Sequence, residues 1–352
     1  MTNYLNIKDY DDYKFFFVET TANCNLRCKY CYYKKTDKKP EYDADKLVSS
    51  LEKFDKIVIC FLGGEPFLNP EFIEEVMNHP KLENKNVIFA SNTNGTCFNK
   101  IKPEILSKFS FHHLSIDGEK ENHDFFRGQG VFYKIIENLK YLRKYSDAGI
   151  IARMTVSNPN QINDIPNFPK YFDAVYWQLN NSREELDEYF LEVYLKNLNI
   201  LFDYWKENIF KNKNFTIIPF VGMCDLILTG GMENPDLICG SGTDHVNICI
   251  DGSVYPCPES PHRLLDKEKL GLIDNFEFKT YSLKKRCKDC NILKYCGGRC
   301  AMTDDELYCK GIIEIHKLLT YFIESLTENQ LDKLKNIINY QKGLAYTTEV
   351  TP

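Results

Sequence analysis

Cys24, Cys28 and Cys31 fall in a C-x3-C-x2-C spacing, Cys24-Asn-Leu-Arg-Cys28-Lys-Tyr-Cys31. Three thiolates this close can hold three irons of one cubane iron–sulfur cluster and leave the fourth iron without a protein ligand. A structural zinc would want a fourth residue, so a zinc knuckle borrowing a distant ligand is the competing reading. A second set lies far downstream, at Cys239, Cys257, Cys287, Cys290, Cys296, Cys300 and Cys309, with Gly252 between the first two. The remaining four of the 14 cysteines are Cys60, Cys97, Cys224 and Cys249. Cys60 lies in an apolar strand and Cys97 just past an Asn-Gly turn, and both read as inert. The first residues, Met1 to Asn6, show no basic segment leading into an apolar run, so a cytoplasmic protein with reduced, metal-binding thiols is expected.

The elements that position these residues can be read from period. Apolar runs at Phe15–Val18, Ile57–Phe61, Val87–Ala90, His113–Ile116, Ile150–Val156 and Ala174–Leu179 have the length and the Val/Ile/Phe content of buried strands. Helical stretches at Asp43–Phe54, Pro70–Asn78, Val131–Tyr145 and Arg183–Phe210 separate them. Six strand–helix units in series predict a parallel sheet with right-handed crossovers, a partial (β/α)6 TIM-like barrel open on one side. The first cysteine cluster follows the first strand, and Gly63-Gly64-Glu65-Pro66 follows the second. Thr93-Asn94-Gly95 follows the third and Ser115-Ile116-Asp117-Gly118 the fourth, while Arg153 lies on the fifth. Barrel enzymes keep their sites at these carboxyl ends. A buried strand arginine needs an anion. The 44 Lys+Arg against 50 Asp+Glu give a charge of −6 and no reason to expect a nucleic-acid surface. No run approaches the ~18 apolar residues of a membrane helix.

The cysteine spacing, Tyr30 before the last cysteine and the Gly-Gly-Glu-Pro segment resemble the radical S-adenosylmethionine (SAM) superfamily. That resemblance implies that the first three cysteines hold a [4Fe–4S] cluster whose open iron binds SAM. It further implies that Tyr30, Gly63, Gly64, Glu65, Pro66, Asn94, Ser115, Asp117 and Arg153 line the SAM pocket. The second set of seven cysteines resembles the SPASM domain, which carries two auxiliary [4Fe–4S] clusters. By that resemblance Cys239, Cys257 and Cys300 hold the first auxiliary cluster, with a fourth ligand left open between His245, Cys249 and none. Cys287, Cys290, Cys296 and Cys309 hold the second. The expected organisation is a barrel over 12–211, a SPASM domain over 222–312 and a helical segment over 313–341, with the join near residues 212–214. Ile312–Gln341 reads as helices packing on the domain or on a partner.

The implied reaction is reductive cleavage of SAM to a 5′-deoxyadenosyl radical that abstracts a hydrogen atom, with the cofactors carrying the difficult chemistry. Relatives with this second domain mostly modify peptides or proteins, so a cross-link or other oxidation of a side chain, rather than formylglycine, is expected. The chain departs from the sulfatase-maturing pattern, which carries Asp after the hairpin cysteine; here Pro258 follows Cys257, and Glu259 is the candidate catalytic carboxylate. A small-molecule radical SAM enzyme, a sulfatase-maturing enzyme and a non-catalytic iron–sulfur scaffold remain open. Expected partners are the peptide or protein substrate and an electron donor such as flavodoxin or ferredoxin; with only 23 residues before Cys24, leader recognition falls to a separate leader-peptide-binding protein, to the barrel, or does not occur. The lysines Lys34, Lys35, Lys38 and Lys39 read as a solvated loop or as a dock for an acidic leader. No nucleic acid or membrane is expected.

Overall fold

The apolar runs fold as strands buried on both faces, as a parallel sheet covered by helices requires. The computed structural model describes residues 13–180, 187–211, 214–233, 239–263, 268–280, 283–300 and 306–345. Its strands β1 (Lys14–Thr21), β2 (Lys56–Gly63), β3 (Asn86–Thr93), β4 (Phe109–Ser115), β5 (Gly149–Val156) and β6 (Ala174–Leu179) pair in parallel in chain order. From Ile57 to Phe61 no residue is more than 1% exposed. β4 begins earlier than its expected span, His113–Ile116, and stops at Ser115. His112 made this strand look shorter than it is, because a neutral imidazole packed among rings behaves as an apolar residue.

The sheet does not end with the barrel. β7 (Thr216–Ile217) adds to β6, and β8 (His245–Ile248) pairs in parallel with the free side of β1, from Phe15↔His245 to Val18↔Ile248. β9 (Ser253–Tyr255) returns antiparallel to β8, and β10 (Gly271–Leu272) pairs with β9. The barrel therefore runs into the cysteine-rich segment through one ten-stranded sheet.

Helices cover the outer face. Asp43 caps the helix Ala44–Ser50 by accepting from Lys46 N at 2.8 Å, and Asp187 caps the helix Glu188–Asn208 by accepting from Phe190 N at 2.7 Å. The helices Glu306–Glu324 and Glu328–Ala345 pack back on the barrel, with the Phe322 ring 5.6 Å from Trp205 and Gln341 Nε2 donating to Phe215 O at 3.1 Å. The expected carboxy-terminal helices thus cover this chain's own core. Residues 1–12, 183–186 of the expected long helix, 212–213 of the expected join and 301–305 lie outside the described residues. No helix among the described residues is long and apolar enough to cross a membrane.

His112 is fully buried, with its ring 4.8 Å from Phe109, 5.1 Å from Phe98 and 6.2 Å from Phe67. Burial, helped by the Arg143 charge, pushes its pKa down to about 3. The folded chain therefore resists a proton that the unfolded chain takes up below about 6.5. Stability carried by the neutral imidazole is present above that pH and is lost as pH falls toward 3. His112→Phe removes this group and keeps the aromatic packing. Urea titrations between pH 7.5 and 5 should show wild-type stability falling relative to the variant by about 1.4 kcal/mol per pH unit below 6.5. Equal pH slopes for the two proteins would refute the buried neutral imidazole.

Candidate active site

The cysteine loop leaves β1 at Thr21 and folds back on itself. Ala22 N donates to Lys38 O at 2.9 Å and Thr36 N to Ala22 O at 3.1 Å. Cys24 is buried, Cys28 half-buried and Cys31 exposed. Each neighbouring pair lies close enough for one thiol to feel the other's charge. Burial pushes the Cys24 thiol up to about 11 and raises that of Cys28. Iron would hold both as thiolates, as metals do with coordinating thiols. Among the described residues no three His, Cys, Asp or Glu close round a single metal ion. A cubane puts each thiolate on a different iron, and three soft sulfur donors on one loop suit it.

The glycine pair fixes that loop. Gly64 N donates to Thr21 O at 2.9 Å and Glu65 N to Asn23 O at 2.8 Å. Gly63 has a φ of +141°, and a Cβ on Gly64 would overlap the Asn23 carbonyl. The Glu65 carboxylate turns away from open space and is fully buried. It accepts from Thr93 Oγ1 at 2.7 Å, Asn94 N at 2.8 Å and Phe67 N at 3.3 Å. Burial lifts its pKa to about 7 against the pull of these donors. Glu65 is therefore a positioning residue that joins the ends of β2 and β3. What it positions is Asn94, whose Nδ2 lies 2.9 Å from Asn25 Oδ1 and 3.8 Å from Cys24 Sγ.

Asp117 does the same for the ends of β4 and β5. It is fully buried and accepts from Arg127 Nε at 2.7 Å and Nη2 at 3.0 Å, from Thr155 N at 3.0 Å and from the Tyr30 hydroxyl. Tyr30, in the cysteine loop, is thereby tied to both strand ends, with the Arg127 guanidinium 5.4 Å from its ring centroid. Ser115 and Arg153 are register partners on the adjoining strands. Arg153 Nη2 donates to Gln178 Oε1 at 3.1 Å and its guanidinium lies 5.6 Å from the Tyr176 ring centroid.

The downstream cysteines separate into two groups. Cys287, Cys290, Cys296 and Cys309 line one cavity, together with Ile292, Leu293 and Ile312. Four thiols round an apolar hollow fit a fully ligated cubane. Burial pushes the Cys296 thiol up to about 12. Cys257 and Cys300 lie close enough to interact, and burial pushes the Cys257 thiol up to about 11. The hairpin register pairs Asn247 with Tyr255, so His245 and Cys257 lie at its open end, where Gly242 N donates to His245 O at 2.9 Å and to Pro256 O at 3.2 Å. Gly240 O accepts from His245 N at 3.0 Å, so Cys239, the preceding residue, joins that end. Cys249 sits beside the turn at the opposite end, with Asn247 Nδ2 3.3 Å from its sulfur.

Sequence reasoning missed a buried polar group at the mouth. Glu19, 2% exposed, accepts from Tyr33 Oη at 2.8 Å and Asn247 Nδ2 at 3.0 Å, and His262 Nε2 lies 3.9 Å away. A carboxylate ending the apolar run Phe15–Val18 was the available signal. Tyr32 was missed as well. Its ring lies 5.5 Å from His262, and the charges of Glu259, Cys257, Arg153 and Cys31 all reach its hydroxyl, whose pKa burial drives well above the phenol range. It is nonetheless 40% exposed, so it forms the wall of a recess.

Replacing Glu65 by Gln keeps the volume but sets an amide against three donors. The melting temperature should fall, with a loss of about 1–3 kcal/mol from the unsatisfied groups. Cysteine-bound iron per chain should stay near the wild-type value, and the affinity for SAM should drop because Asn94 and the glycine turn lose their support. An unchanged melting temperature would overturn the positioning role.

This constellation can be compared with known proteins. Residues 18–168 match the family model of the radical SAM superfamily. The cysteine-type anaerobic sulfatase-maturating enzyme of Clostridium perfringens (strain 13 / Type A) is 30% identical over 331 residues, 81% of this chain and 88% of that protein. The structure of native anSMEcpe with bound AdoMet and Cp18Cys peptide superposes with a TM-score of 0.70 at 23% identity, over 92% of this chain and 99% of that one. Streptococcus suis SuiB bound to precursor peptide SuiA has a TM-score of 0.56 at 17% identity, over 82% and 72% of the two chains. The chain is a radical SAM enzyme and belongs to the family of the anaerobic sulfatase-maturating enzymes.

Proposed function

We propose that this enzyme oxidises a side chain of a peptide or protein, with a sulfatase-type cysteine the first substrate to test and Glu259 the proton acceptor. The observation that carries this reading is the setting of Tyr32. Its hydroxyl is reached at once by the charges of the SAM-cluster ligand Cys31, the auxiliary-cluster ligand Cys257, the carboxylate of Glu259 and Arg153. When bound, the open-iron cluster and SAM supply the radical that removes one hydrogen atom from the substrate. The chain supplies the rest. Cys24, Cys28 and Cys31 would hold the cluster; the backbone of Gly63–Pro66, Asn94, Ser115 and Arg153 would offer polar contacts to SAM, and Tyr30, bonded to Asp117, would order the loop beside it. The substrate radical would then pass one electron to an auxiliary cluster, where one is bound, and lose the thiol proton; the resulting thioaldehyde is hydrolysed by water to the aldehyde with release of hydrogen sulfide. Glu259, half-buried beside Cys257, takes the proton. Pro258 displaces the expected carboxylate by one residue without removing it from this neighbourhood. That supports formylglycine formation more than the sequence alone did, and leaves cross-links as the second reading. A folded peptide site in this family is supported by the peptide-bound relatives.

We infer three [4Fe–4S] clusters, the two auxiliary ones on the cysteine groups of the downstream segment. For the first auxiliary cluster, the hairpin register favours His245 over Cys249 as the fourth ligand, because His245 shares the open end with Cys257 and Cys239.

Incubation with SAM, a strong reductant and a cysteine-containing sulfatase peptide should yield the aldehyde, read by mass spectrometry. Glu259→Gln should slow product formation by about 10²–10⁴-fold while release of 5′-deoxyadenosine persists. Aldehyde formation by the variant at the wild-type rate would exclude Glu259 as the acceptor. If the cysteine peptide is untouched while SAM is cleaved, the substrate lies elsewhere among peptides.

The ligand assignment has a spectroscopic test. Imidazole ligation raises an iron–sulfur potential relative to thiolate. His245→Cys should lower the potential of one auxiliary cluster in an EPR-monitored titration, and Cys249→Ser should leave all potentials unchanged. A shift with Cys249→Ser alone would reverse the assignment.

A further inference from the structure

The solvent-facing stretch of the cysteine loop carries a charge pattern at odds with the rest of the molecule. Residues 27–39 contain six cations (Arg27, Lys29, Lys34, Lys35, Lys38 and Lys39) and one carboxylate, Asp37, in a chain whose net charge is −6. The cations are solvent-facing, with only Lys35 half-buried. Lys35 is the one whose charge reaches both Cys24 and Cys28. The backbone bonds between Ala22 and residues 36 and 38 fold the lysines over the root of the cysteine loop. Lys29 N donates to Phe126 O at 2.9 Å, and Lys29 Nζ stands 3.1 Å from the ring centroid of Phe125, which is 57% exposed. A large exposed ring beside a rim of one sign of charge marks a contact surface.

We propose that this basic rim, with Phe125 at its side, is the docking surface for an acidic one-electron carrier protein of the flavodoxin or ferredoxin class. The inference rests on the radical SAM reading, which requires one electron per turnover. The carrier loses that electron and the cluster on Cys24, Cys28 and Cys31 gains it, with no proton moved. SAM and substrate are taken to bind in the recess lined by Tyr32 and Glu259, which leaves the electron the solvent-facing, basic stretch of the loop to enter by. Unlike charges steer such encounters and fix orientation in small, transient interfaces, and salt weakens them. An acidic peptide could meet the same charges, but its reacting side chain has to reach the recess lined by Tyr32 and Glu259. The rim's distinguishing feature is its link through Lys35 to the cluster ligands.

The test drives SAM cleavage by the iron-loaded enzyme with a chemically reduced acidic flavodoxin or, separately, with dithionite, and reads 5′-deoxyadenosine. Lys34→Glu/Lys38→Glu/Lys39→Glu leaves Lys35 and the cysteines intact. At low salt this variant should lose about tenfold or more of the flavodoxin-driven rate, a gap that closes to within about twofold near 0.5 M salt. Its dithionite-driven rate should match wild type, which also shows that it folds and holds its cluster. Phe125→Ser should weaken the flavodoxin route alone, as a second and charge-neutral probe. Flavodoxin-driven rates equal to wild type in both variants would overturn the proposal. So would a variant that keeps those rates but loses affinity for an acidic substrate peptide, which would give the face to the peptide. Failure of the wild type to cleave SAM with dithionite would instead refute the radical SAM reading itself.

Discussion

The close approach of two backbones governs this site. At the end of β2, Gly63 and Gly64 lie against Thr21, Ala22 and Asn23, close enough that a side chain on either glycine would overlap a carbonyl. Two N–H···O bonds hold the contact, and they set the height at which the cysteine loop leaves β1. The glycines thus serve the cysteines before they serve any ligand. A methyl group at Gly64 would have to push apart two strand ends that the barrel holds together on both sides, a change of the kind that costs about 1–3 kcal/mol even in a forgiving core. The turn also aims Glu65 inward and so orders Asn94, two strands away from the loop whose sulfur Asn94 approaches.

Three buried carboxylates repeat one device around the carboxyl ends of the strands. Glu19 ends β1, Glu65 follows β2 and Asp117 follows β4, none more than 2% exposed. Each accepts from donors on other elements: Glu19 from Tyr33 and Asn247, Glu65 from Thr93 and Asn94, Asp117 from Tyr30, Arg127 and Thr155. A buried charge without such donors would be costly, and with them it fixes the elements that supply them. Two of the three donor sets include a tyrosine of the cysteine loop. The loop is therefore anchored at its root by backbone and along its length by phenol–carboxylate bonds.

The parallel barrel was legible because its strands are continuous apolar runs, and the cysteine groups stood out because their spacing is a local property. Side-chain direction was not. Glu65 and Asp117 stand inside recognisable segments, yet a segment does not say which way its carboxylate turns, and both turn toward the protein. The mate of β1 was hidden for a different reason. β8 lies some 230 residues downstream in register with β1, Phe15 against His245, and nothing in a strand of four residues announces a partner at that separation. Arg127 carries no spacing signal at all; only the fold brings it to Asp117.

That pairing explains how two cysteine-bearing segments can share one recess. Adjacent strands lie about 4.8 Å apart, so β9 stands about 10 Å from β1, at a separation fixed by the ladder rather than by a linker. The register is equally constrained. Side chains alternate between faces with period two, so a slip of β8 by one residue would turn Asn247 away from Glu19 and His245 away from the Phe17 ring it meets at 5.2 Å. Glu19 would then be left buried with one donor fewer, a penalty of about 1–3 kcal/mol that opposes the slip. The polar contact at Glu19 and the placing of the hairpin that leads to Cys257 are in this sense one constraint: the bond that satisfies a buried carboxylate on the barrel also holds the hairpin in register.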